Sequence, residues 1–191
     1  MRLFVALEIP AAVRDNLATL LADFRTLSSQ LADRRPRWVR PKNLHVTLKF
    51  IGEVLPAKLD GIRGALSTIR SGAPIDLQVR GLGFFPNETH PRVLWAGLQA
   101  SPNLAQIAGE VDLALETQGV EREKRAFAPH LTLARFEPPG LHEKLRAAIQ
   151  KSASLEFGSF QAREFHLIES KLKPSGAEYR ALASFRFTLE A

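Results

Sequence analysis

The chain has 191 residues, a formal net charge of +6 with a sequence pI near 10.1, and no cysteine. That length suits one domain, or one domain of two lobes; the missing Cys excludes disulfides and thiolate metal sites, and no apolar run approaches the roughly 20 residues of a membrane-spanning helix. The basic balance favours an anionic partner such as nucleic acid or phosphate.

Met1-Arg2-Leu3-Phe4 enters a strand pattern with no signal-peptide architecture, so a cytoplasmic location is the default expectation. Leu3 to Ile9 alternates apolar residues and reads as a strand. Pro10 suits an early helix position, and Val13, Leu17, Leu20, Leu21, Phe24 and Leu27 follow helical spacing to about Leu31. Arg34, Arg35, Arg37, Arg40 and Lys42 follow with no acid among them, and Pro36 and Pro41 keep this segment extended or looped. A basic run is usually a solvated loop, but this one ends just before His45 and can draw a polyanion there. Trp38 within it is a core anchor or a stacking surface.

A strand is expected from about Leu44 to Ile51, stopping at Gly52, then a helix marked by Leu59, Ile62, Leu66 and Ile69. Ile75, Leu77 and Val79 alternate as a strand ending near Gly81 or Gly83, and Phe84-Phe85-Pro86-Asn87 reads as a turn or loop. The order then repeats. Arg92 to Leu98 alternates, Leu104, Ile107, Val111 and Leu115 give a helix, and a charged loop from Glu121 to Arg125 leads to a strand at His130. Leu141, Leu145 and Ile149 mark a further helix; strands at about Phe160 to Ser170 and Glu178 to Leu189 are joined by the turn Lys173-Pro174-Ser175-Gly176. Each half reads strand, helix, His strand, helix, strand. The economical arrangement is two similar lobes, 1–88 and 89–191, related by an approximate two-fold axis with the His strands side by side.

Those strands carry one motif twice: His45-Val46-Thr47-Leu48-Lys49-Phe50 and His130-Leu131-Thr132-Leu133-Ala134-Arg135-Phe136. Alternation puts His45 and Thr47 on one face of a strand and Val46 and Leu48 on the other, and treats His130 and Thr132 the same way. One His-x-Thr arises easily by chance. Two copies in a chain with five His, each with Leu at the same place, are hard to dismiss. Zinc is a poor match, because two His with no carboxylate at fixed spacing and neutral Thr make a weak ligand set. A nucleophilic triad lacks an orienting Asp. Phosphoester chemistry matches best. In-line displacement needs a base behind the entering group and an acid before the leaving group, which two imidazoles can supply. Thr hydroxyls and nearby cations can hold the non-bridging oxygens. His90, His142 and His166 carry less: two read as solvated and the last as a sheet-face residue.

The twin motifs resemble those of the 2H phosphoesterases, and most closely the RNA 2′,3′-cyclic phosphodiesterase branch known historically as 2′-5′ RNA ligases. The resemblance extends to Arg2-Leu3-Phe4-Val5-Ala6-Leu7-Glu8, Asn43-Leu44 before His45, Gly81-Leu82-Gly83-Phe84-Phe85-Pro86, Pro91-Arg92-Val93-Leu94-Trp95-Ala96-Gly97 and the tail from Glu169 to Tyr179. It implies a bilobal α+β fold, antiparallel sheets lining a central cleft with helices outside. It implies metal-independent hydrolysis of a terminal RNA 2′,3′-cyclic phosphate to a 2′-phosphate, with no cofactor and no obligate protein partner. His45 would be the general acid, His130 the general base, and Thr47, Thr132 and Arg135 would bind phosphate. Strict alternation puts Arg135 opposite His130, so Arg135 reaches the cleft only if the strand bulges or ends near Ala134. Arg35, Arg37 and Arg40 are expected to contact RNA, and Phe84 or Phe85 to offer a stacking surface or join the core. The rival readings are a ligase running the chemistry in reverse and a non-catalytic RNA-binding module. A binding module has no need for two matched imidazoles.

Overall fold

The computed structural model describes residues 1–31, 36–174 and 176–187. In chain order the elements are β1 (Arg2–Glu8), α1 (Ala11–Ser29), β2 (Arg37–Trp38), β3 (His45–Glu53), α2 (Leu59–Leu66), β4 (Ile75–Phe85), β5 (Val93–Ala100), α3 (Asn103–Glu116), β6 (His130–Arg135), α4 (Glu143–Lys151), β7 (Glu156–Ala162), β8 (Glu164–Lys173) and β9 (Gly176–Arg186). Among the described residues all the strands belong to one sheet in the order β7-β4-β5-β6-β3-β1-β8-β9, with β2 attached to β6, and every pairing is antiparallel. The fold is α+β.

The helices form because their apolar residues recur at helical spacing. α1 buries Val13, Leu17, Leu21 and Phe24, and α3 buries Leu104, Ile107, Val111 and Leu115. α1 packs against β7 and α4, and α3 against β3 and α2. The core between helices and sheet takes Leu3, Val5 and Leu7 from β1, Val46 and Leu48 from β3, and Leu131 and Leu133 from β6. β1 is also buried on its other face, where Phe4, Ala6 and Ile168 form a second small cluster. An internal strand covered on both sides reads as a continuous apolar run, which Leu3 to Leu7 is.

The His strands are neighbours at the centre of the sheet, touching at Val46 and Leu131, as the two-fold reading requires. The sheet halves interleave the two halves of the sequence, however. β4 precedes residue 88 but pairs with β5 and β7, and β8 belongs to the chain's second half but pairs with β1. A short link, residues 86–92, makes β4 and β5 a hairpin, and antiparallel hairpin neighbours form more readily than a return across β3. The exchange is reciprocal, so the order around the centre stays symmetric.

Two strands depart from the sequence expectation. β4 runs through Gly81 and Gly83 to Phe85 instead of stopping at a glycine. Gly83 is there because the Trp95 ring lies across it from β5: a Cβ at Gly83 would sit 2.3 Å from the indole. The single strand expected from Phe160 to Ser170 is two, β7 and β8, separated by Arg163 alone. They pair at opposite ends of the sheet, β7 with β4 and β8 with β1, so one residue of chain links the two ends and the sheet must curl. Phe187 N donates to Arg163 O at 2.8 Å across that junction.

Candidate active site

β3 and β6 each alternate a half-buried polar residue with a buried apolar one: His45, Val46, Thr47, Leu48 and His130, Leu131, Thr132, Leu133. The antiparallel contact at Val46 and Leu131 sets His45 on the side of Thr132, and Thr47 on the side of His130. The four polar side chains therefore share one face at the sheet centre. Each imidazole is held by the carbonyl two residues before it. His45 Nδ1 lies 2.7 Å from Asn43 O, and His130 Nδ1 2.7 Å from Ala128 O. A carbonyl only accepts, so Nδ1 donates in both, and in the neutral ring the lone pair is left on Nε2. Asn43 is itself fixed, its side-chain Nδ2 donating to Ala177 O at 2.8 Å.

Both strands then bulge at equivalent places. Against β1, the partners of Val5 and Ala6 are Lys49 and Thr47, so Leu48 is the extra residue. Against β5, the partners of Leu94 and Trp95 are Ala134 and Thr132, so Leu133 is extra. An extra residue reverses the facing of every residue beyond it in the strand. Arg135 thereby returns to the face of His130 and Thr132, by the route the sequence required. The same device turns Lys49 into the core and leaves Phe50 on the cleft face, 60% exposed, where Arg135 stands in the other strand.

Burial lowers the His45 pKa, the Asn43 carbonyl opposes that, and the positive charges of His130 and Arg135 lower it further. The Arg135 charge also acts on Tyr179, whose hydroxyl burial pushes up despite Arg135 and Arg2. Aromatic rings flank both histidines. Tyr179 meets His45 edge-on at 5.3 Å, with Phe4 at 4.7 Å, and Phe85 meets His130 edge-on at 5.0 Å. Two imidazoles presenting Nε2, two hydroxyls and a guanidinium on one face can move a proton onto one oxygen of a phosphoester and off another.

The model of the LigT-like phosphoesterases matches residues 7–95 and 98–179. The chain belongs to the LigT-like phosphoesterase family. It is 33% identical over 187 residues to the RNA 2′,3′-cyclic phosphodiesterase of Methanothermobacter thermautotrophicus, covering 97% of this chain and 98% of that one. It is 34% identical to the protein of that name from Methanocaldococcus jannaschii, covering 95% and 98%. Among solved structures, E. coli LigT complexed with 3′-AMP superposes with a TM-score of 0.75 at 26% identity, covering 98% of each chain.

The remaining residues of this phosphoesterase singled out in the sequence divide. Arg37 pairs with Arg135 in the β2–β6 ladder and forms an ion pair with Glu137 at 3.2 Å. Arg40 reaches the β8–β9 turn, its Nη2 3.5 Å from where a Cβ on Gly176 would stand. Arg35 lies outside the described residues. Phe84 is corrected: it is 7% exposed and packs on Phe136 in the core, while Phe85, one residue on in a strand, faces the cleft. Trp38 is a core anchor beside Phe24, its Nε1 donating to Ser28 Oγ at 3.2 Å. His142 caps the N-terminus of α4 by accepting from Lys144 N, and His166 is buried against Ser184 Oγ.

Sequence reasoning missed Tyr179 and the Lys49–Asp112 pair. Lys49 Nζ donates to Asp112 Oδ1 at 2.5 Å and to Glu121 O at 2.6 Å, while Arg122 Nε and Glu123 N donate to the same carboxylate. Burial raises the Asp112 pKa, but these donors outweigh it and hold the group below the usual carboxylate range. The network fastens the charged loop that leads into His130. Lys49 next to Phe50 gave no sequence signal, because alternation put it on the other face.

Proposed function

We propose that this phosphoesterase opens the 2′,3′-cyclic phosphate at an RNA end to a 2′-phosphate, with His45 as general acid and His130 as general base. The observation that carries the reading is the matched pair of imidazoles, each with Nδ1 tied to a carbonyl two residues back and Nε2 left for the substrate. The names of the archaeal relatives support the substrate class.

The step balances with the groups at hand. His130 Nε2 takes a proton from water, the water oxygen bonds to phosphorus in line with O3′, the P–O3′ bond breaks, and His45 Nε2–H protonates O3′. Thr47, Thr132 and Arg135 hold the non-bridging oxygens as charge builds on them. The lowered His45 pKa runs against an acid role in the free enzyme. A bound phosphate supplies an anion that raises it, so the substrate assists the protonation of its own acid. Arg37 and Arg40 supply cations for the RNA backbone, and the cytoplasm, where RNA ends arise, is the proposed setting.

The test is an oligonucleotide with a 2′,3′-cyclic end, incubated with the enzyme and EDTA. A terminal phosphate resistant to a 3′-phosphate-specific phosphatase supports the assignment. Release by that phosphatase places the acid and base around the wrong bond, and an unopened ring refutes the activity.

A further inference from the structure

A pocket of about 450 Å³ opens beside His45 and is lined also by Glu8, Arg14, Lys42, Glu178 and Tyr179. Its floor belongs to β1, β8 and β9, on the side of β3 away from β6, so it lies on the flank of His45 that faces away from His130. The size is that of a small-ligand site. Its charges are unevenly engaged. Glu178 is bonded to Lys173 at 2.7 Å, which with Lys42 and Arg40 holds its pKa down. Arg14 and Lys42 form no ion pair among the described residues. Glu8 stands opposite His45 in the β1–β3 register and can accept from donors of a nucleoside.

In-line geometry decides what enters this pocket, given the acid and base assigned under the proposed function. Water arrives from the His130 side, so the leaving oxygen and the ribose that bears it lie on the His45 side. The ribose carries the rest of the RNA through its 5′-oxygen. We propose that the pocket seats the terminal nucleotide and that Arg14 and Lys42 hold its 5′-phosphate, the next phosphate of the RNA chain. The enzyme then selects polynucleotide ends over bare nucleoside cyclic phosphates, because only the former bring a second anion to two cations that form no ion pair among the described residues.

Adenosine 2′,3′-cyclic phosphate and its 5′-phosphorylated counterpart differ only in the group at issue. The kcat/KM for each is measured with the wild type, Arg14→Ala, Lys42→Ala and Lys42→Glu. The 5′-phosphate is expected to raise the wild-type value roughly tenfold. That preference falls towards unity in each alanine variant and below unity in Lys42→Glu. The ratio within one preparation is independent of how much of a variant is folded. Turnover of both compounds with no preference, or a preference that survives all three substitutions, overturns the subsite while leaving the hydrolase reading intact. Turnover of neither compound by a preparation that still opens the cyclic-ended oligonucleotide overturns the subsite alone; an oligonucleotide left unopened as well overturns the hydrolase reading, and the subsite with it.

Discussion

Each imidazole of the proposed acid–base pair is fixed by its own chain, through the carbonyls of Asn43 and Ala128, rather than by a carboxylate. That fixes each ring's orientation and leaves its Nε2 to whatever enters the cleft. His45→Ala and His130→Ala should each lower turnover by roughly 10²–10⁴ with the thermal transition little changed; a single variant of near-normal rate would remove the two-histidine mechanism. Thr47→Val and Thr132→Val keep the shape but delete a donor to charged phosphate, so each should lose about 1.5–3 kcal/mol in kcat/KM. Unchanged kinetics in both would make the hydroxyls structural. As an acid, His45 must be protonated, and burial, His130 and Arg135 depress its pKa in the free enzyme. The alkaline limb of kcat/KM should therefore begin below about 6.5, the ordinary His value. A bound phosphate raises that pKa, so the alkaline limb of kcat should lie at higher pH than that of kcat/KM. Arg135→Met removes a cation facing His45 and should move the kcat/KM limb upwards; profiles that coincide, or a shift downwards, would contradict the acid assignment.

At the scale of elements, the paired bulges decide which side chains the His strands deliver. After Leu48 and Leu133 the core receives Lys49 in one strand and Ala134 in the other, and the cleft receives Phe50 and Arg135. Both motifs run into a basic residue followed by Phe, but the ladders place the two basic residues, Lys49 and Arg135, on opposite faces. A buried ammonium needs a partner, and Asp112 on α3 provides it. Asp112→Ala leaves that ammonium buried with only a carbonyl, and such broken pairs cost about 3–5 kcal/mol. Urea unfolding measures the loss. A cost near zero would mean that the ammonium reaches water. Gly83 is the corresponding device in β4, where the Trp95 indole occupies the space a Cβ would need. Gly83→Ala should overpack that contact and destabilise by about 1–3 kcal/mol, with Trp95 fluorescence reporting the displaced ring; an unshifted spectrum and unaltered stability would argue that the indole has room.

For the whole molecule, reciprocal strand exchange and the one-residue link at Arg163 curl a single sheet whose one face holds His45, Thr47, His130, Thr132 and Arg135. The splayed ends of β3 and β6 are filled by β2, which brings Arg37 beside Arg135 on the cleft border. Neutralising Arg37 and Arg40 together should weaken oligonucleotide binding and flatten its salt dependence by about 0.7 in log–log slope per cation lost. A cyclic mononucleotide should respond much less; an equal response would assign these residues to holding the fold. The sequence by itself determined the helices, the polarity of the His strands and the candidate groups His45, Thr47, His130 and Thr132, and it made side-by-side pairing of those strands the economical arrangement. Those derive from period and repetition, which are properties of short stretches of chain. It also stated the condition, a bulge, under which Arg135 could join them. Only the tertiary structure decided that the condition is met, that Phe84 is core and Phe85 cleft, that one expected strand is two, and that β4 and β8 change sides. Each of those depends on how a strand registers against a neighbour distant in sequence, and a shift of one residue in register reverses the facing of every side chain beyond it.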